Sequence, residues 1–257
     1  MSPFSFYRCQ ILTAMPYRRL PNTDSSRLKA LKIAYRKGKD IPPFKLAFSQ
    51  SAFQRAHLFI NNFEQAMNRY KKVYEIQVQH NQDYSAVAKK ARLYLSHFIQ
   101  VLNMAIQRGD QKPEIRAFYE LDDYGNRLPS LVTDKELLDW GKKIITGETQ
   151  RTSKGMSPIT NPNIAIVKVW FESFEEAYKQ QKMFQQNTAR AQAELDALRK
   201  TADEIILCIW NEVEATFKDL SDDVKREKAK DYGVVYIFRK NEIQGISLLH
   251  RSMQGIG

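Results

Sequence analysis

The sequence predicts a mainly α protein: an antiparallel four-helix bundle of long helices, with short extra helices and a minor two-stranded β element. Three observations carry this. Apolar residues recur in alternating steps of three and four over most of the chain, which is the helical period. No Gly or Pro occurs from 44 to 108 or from 163 to 232. The whole chain has 10 Gly and 9 Pro in 257 residues, too few for a turn-rich sandwich of strands. With 43% hydrophobic and 27% charged residues, the balance is that of a folded globular chain.

The elements follow in order. Asn22, Thr23 and Asp24 are all good N-cap types and open a first helix that Gly38 is expected to stop. Leu28, Leu31 and Tyr35 form its apolar stripe, and Lys29, Lys32 and Arg36 repeat that spacing one position on. Phe53, Ala56, Ile60, Phe63, Met67, Tyr70 and Tyr74 then mark a helix over 49–79. The polar cluster 80–83 reads as a turn, after which Tyr84, Val87, Ala91, Tyr94, Phe98, Val101 and Ala105 resume the rhythm until Gly109. This makes a first antiparallel hairpin. Residues 134–145 read as a short helix capped by Thr133 or Asp134, and 149–161 as a loop. A second hairpin of 163–186 and 189–218 is expected, turning at 185–188. Ser221 to Asp223 cap a last short helix ahead of Gly233. Val234 to Phe238 are β-branched and aromatic, a strand whose expected partner is 115–121. A coiled coil was the competing reading, but the seams mix aromatics with alanines, which suits a filled bundle core better.

As to organisation, 15–240 reads as one helical-bundle domain with a tail at 241–257. Residues 1–14 lack caps and periodicity and read as a disordered extension or as sequence upstream of a start at Met15, with a short targeting or anchoring arm as the alternative. No run of 18 apolar residues predicts a membrane span, so the expected compartment is the cytoplasm.

Charge is uneven. The formal net charge is +11, and residues 1–48 alone hold 10 Lys and Arg against 2 Asp and Glu. Residues 161–257 hold 14 against 15. The basic head contains Arg18, Arg19, Arg27, Lys29, Lys32, Arg36, Lys37 and Lys39, the candidate contacts for nucleic acid or an acidic protein partner.

Motifs for chemistry are lacking. The two cysteines, Cys9 and Cys208, exclude a disulfide framework. The four histidines have no HxxxH or HExxH partner, and no Glu is followed three residues later by His, so neither a metal nor a cofactor is expected. No GxGxxG, GxxxxGK[ST] or GxSxG is present. In IILCIWNEVEATF, Trp210, Asn211 and Glu214 bring polar groups to the rim of the core; they read as side chains tying neighbouring segments, or else as the rim of a polar pocket.

The segments MPYRRLPNTDSSRLKAL, LPSLVTDKELLDWGKKIITGE, NTARAQAELDALRKTADEIILCIWNEVEATF and DYGVVYIFRK resemble a family of bacterial, mainly helical proteins. The resemblance covers most of 15–240. It implies a helical bundle and brings no activity, cofactor or catalytic residue with it. The expectation is a non-enzymatic binding or scaffold protein, with self-association possible. The alternative is nucleic-acid binding through the basic N-terminal helix.

Overall fold

The computed structural model describes residues 17–238, of which 77% are helical. The expectations for 1–14 and 241–257 lie outside those residues. The elements are β1 (Tyr17–Arg18), α1 (Asp24–Asp40), α2 (Gln50–Gln107), α3 (Asp134–Ser153), α4 (Ile164–Thr216), α5 (Asp222–Lys230) and β2 (Tyr236–Ile237). Short 3-10 turns occupy Pro43–Lys45, Pro113–Tyr119 and Asp122–Tyr124.

The mainly α class holds, with two corrections to its long helices. No turn exists at 80–83, because α2 runs unbroken for 58 residues. None exists at 185–188, because α4 runs unbroken for 53. With no Gly or Pro to stop it, each added helical residue gains a hydrogen bond, and propagation wins over turning. The polar residues that suggested turns serve packing instead. His80 stacks on Phe184 at 4.3 Å, and Gln181 Nε2 donates to Asn81 Oδ1 at 3.0 Å.

The described residues group into two compact units. Among the described residues, the first holds 17–69 and 193–238; the second is Tyr70–Gln192. Each unit contains a segment of α2 and a segment of α4. In the first unit these segments run antiparallel: Thr216 Oγ1 donates to the Ala47 carbonyl at 2.9 Å, and Arg69 meets Glu194 at 3.0 Å. Leu31, Phe63, Ile206, Trp210 and Val213 fill this core. Within the second unit Tyr84 packs against Phe174 and Tyr94 against Trp170, so its two segments are antiparallel as well. Its core gathers Phe98, Leu102, Tyr119, Leu137, Ile144 and Phe174.

Three local corrections follow. Residues 115–121 are not a strand; Pro113–Tyr119 is a 3-10 turn, and β2 pairs antiparallel with β1, Arg18 opposite Tyr236. Gly38 does not stop α1, which continues to Asp40; it lies where a Cβ would come within 2.4 Å of the Phe53 ring, so glycine allows close packing there. Residues 149–153 are not a loop, because α3 extends to Ser153.

Candidate functional site

The basic head folds onto the first unit through α1. Thr23 caps it with a reciprocal box, its side chain accepting from the Ser26 amide while the Ser26 hydroxyl accepts from the Thr23 amide. Asp24, in the first turn, takes two hydrogen bonds from Arg199, both at 2.7 Å. Those bonds hold the Asp24 carboxyl below the usual carboxylate range, against the opposing effect of burial. Leu31 is fully buried, and Tyr35 stacks between Phe53 and His57 at 5.5 and 5.0 Å. Leu28 and Tyr35 are only half-buried.

The eight basic residues separate into two sets. Arg18, Arg27, Lys32 and Lys37 are tied down. Arg18 Nη1 donates to Asn211 at 2.8 Å and to Glu214 at 2.9 Å. Arg27 grips Asp203 with two bonds of 2.7 and 3.1 Å. Lys32 pairs with Glu64 at 2.7 Å. Lys37 pairs with Asp231 at 3.0 Å and lies over the Tyr232 ring. Arg19, Lys29, Arg36 and Lys39 are exposed, and none has an ion-pair partner among the described residues.

Asn211 and Glu214 act as ties, while Trp210 packs in the core. Trp210 is 1% exposed. Tyr236 donates to Glu214 at 2.6 Å, completing a bridge in which Glu214 and Asn211 of α4 hold both strands of the small sheet. Burial, then that bond to Glu214, pushes the Tyr236 phenol up. These residues border neither of the depressions on α1.

Two depressions flank one ridge of α1. The first, about 310 Å³, is lined by Leu20, Pro21, Ala30, Ile33, Val235 and Ile237 as its apolar wall, with Arg19 and Lys29 among its polar residues. The second, about 290 Å³, is lined by Leu28, Ile33 and Met67 together with Lys29, Lys32 and Arg36. Lys29 and Ile33, one helical turn apart, belong to both. Leu20 and Val235 stay 41% and 46% exposed, large apolar groups left open beside free cations.

One polar cluster escaped the sequence reading. In the second unit Glu148 and Arg151 are fully buried and paired. Tyr119 Oη donates to Glu148, and Glu148 also accepts from the Ile159 amide at 2.9 Å. Burial, then the hydrogen bond to Glu148, pushes the Tyr119 phenol up. Burial opposes the Arg151 charge, but its bonds to Glu148 and Tyr119 outweigh this and raise its pKa. Arg151 Nη1 has no partner among the described residues. Glu and Arg three apart in TGETQRTS were the available signal, but ending the helix at 145 hid it. Within the extended helix lies Gly147; a Cβ there would meet the Phe118 carbonyl oxygen at 2.3 Å, so glycine serves to admit the turn that carries Tyr119.

Reactive chemistry finds little support. Burial, then Glu212, pushes the Cys208 thiol up, away from the nucleophilic thiolate. Among the described residues no group of three or more His, Cys, Asp or Glu is placed to hold a metal ion, and no helix is long and apolar enough to cross a membrane. Compared with known proteins, the chain matches no family model, no curated protein and no solved structure.

Proposed function

We propose that the chain is a non-enzymatic binding or scaffold protein of the cytoplasm that meets an acidic protein partner through the outer face of α1. One observation carries the reading: the exposed cations Arg19, Lys29 and Arg36, which have no ion pair among the described residues, stand beside open apolar depressions that flank one helix. Cations draw an acidic surface and set its orientation, while apolar walls reward a partner that brings side chains to fill them. The same cations attract phosphates, so nucleic acid is the second reading. Phosphates leave apolar walls uncovered, which weighs toward protein.

The test uses a fluorescent polyglutamate peptide as the acidic probe, with anisotropy as the readout at low salt. The chain is expected to bind it, and the combined variant Arg19→Gln, Lys29→Gln, Arg36→Gln, Lys39→Gln to bind about tenfold more weakly or worse. Its melting curve should stay unchanged, because none of the four has an ion-pair partner among the described residues. Equal binding by the variant, or no binding by the parent chain, overturns the reading.

A further inference from the structure

The two depressions do not lie end to end along α1. They share Lys29 and Ile33, which rise between them, and each extends to a different neighbour. The first reaches Val235 and Ile237 beside the small sheet; the second reaches Met67 of α2. An occupant that fills both must cross the helix. The distance to be crossed is about a helix's own width, on the order of 10 Å. Two side chains seven residues apart on a helix span about that distance, at about 1.5 Å per residue.

The walls specify the rest. Each depression has a volume about ten times that of a water molecule in the liquid, room enough for an aliphatic side chain. Arg19 stands on the sheet side, Lys29 on the ridge and Arg36 on the far side. Cations therefore occur at three places along the crossing path. A lipid bilayer presents a broad anionic surface and cannot put discrete groups into two depressions divided by a ridge. A nucleic acid has the charge, but its bases seek aromatic rings to stack on, and none is among the described residues that line either depression.

Resting on the reading of α1 as a contact face, we infer that the occupant is an amphipathic acidic helix lying across α1. It sets one apolar side chain in each depression, and its carboxylates meet Arg19, Lys29 and Arg36. The apolar pair gives the complex its affinity, and the cations set its direction.

Two helical peptides with the same number of glutamates test this against the full-length chain. One carries two leucines seven residues apart; in the other both are glutamine. Single-stranded DNA and phosphatidylglycerol vesicles serve as further probes. The leucine peptide is expected to bind at least tenfold tighter, since burying one leucine side chain is worth about that factor or more. Val235→Gln and Met67→Gln should each remove most of the advantage and leave the glutamine peptide's affinity unchanged. Both positions are at least partly exposed, so the variants are expected to fold, and circular dichroism checks this. Equal binding of the two peptides overturns the amphipathic helix while leaving an acidic partner in place. Tighter binding of DNA or vesicles that the combined variant Arg19→Gln, Lys29→Gln, Arg36→Gln, Lys39→Gln abolishes overturns the protein occupant. Binding of no probe overturns both the inference and the reading beneath it.

Discussion

Glu148 and Arg151 put opposite charges at zero exposure in the second unit, with Tyr119 and the Ile159 amide closing round the carboxylate. Desolvation makes such a pair a poor source of net stability, yet removing one partner strands the other charge in the core. Arg151→Leu or Glu148→Leu is therefore expected to cost about 3–5 kcal/mol in urea unfolding. The double variant Glu148→Leu, Arg151→Leu should cost less than either single change, because no charge is left stranded. A double variant whose cost equals the sum of the two would show that the charges act independently. The contrast with Arg27 and Asp203 is instructive. There the Asp203 side chain keeps 40% exposure, so breaking that pair leaves a carboxylate that water can solvate.

At the scale of elements, the helical period and the caps were legible. Thr23 and Thr133 both close capping boxes, and the apolar rhythm marks faces that are buried at Phe63, Phe98, Phe174 and Ile205. Helix endings were harder to read, for a physical reason. A polar cluster such as 80–83 looks the same in a turn and on the solvent side of a helix, and only the partner across the packing face distinguishes them. Gly38 misled in the same way, since close approach and chain termination both select glycine. β1 is two residues long and invisible to any pattern, so β2 was recognised and its partner was not. Within the candidate face, the cations were all visible in sequence, but which acids would capture four of them depended on long-range pairing. The continuity of α2 has a direct test. Gln82 is exposed, so Gln82→Pro disturbs little besides the backbone. In a continuous helix it should cost about 3 kcal/mol or more and lower helical circular dichroism. A neutral effect would restore the turn at 80–83.

For the molecule as a whole, the formal charge of +11 makes some adhesion to polyanions at low salt unavoidable, so DNA binding by itself decides nothing. What decides is which cations are involved. Ion pairing removes Arg18, Arg27, Lys32 and Lys37 from the head. Exposed cations without an ion pair among the described residues also occur elsewhere, at Lys72, Lys89, Lys179 and Arg190. The head is thus no longer singled out by charge alone; depressions that combine apolar walls with cations distinguish it. Each phosphate neutralised contributes about −0.9 to the slope of log affinity against log salt on duplex DNA. If DNA used the four free cations of the head, replacing Arg19, Lys29, Arg36 and Lys39 by Gln would flatten that slope by about 3.6 units. If DNA adheres to the cationic surface at large, the same variant should change the slope by less than about one unit. The acidic-partner reading expects the smaller change, together with loss of binding to the amphipathic peptide. A flattening near the larger value would move the head to nucleic acid, leaving the apolar walls of α1 without an occupant.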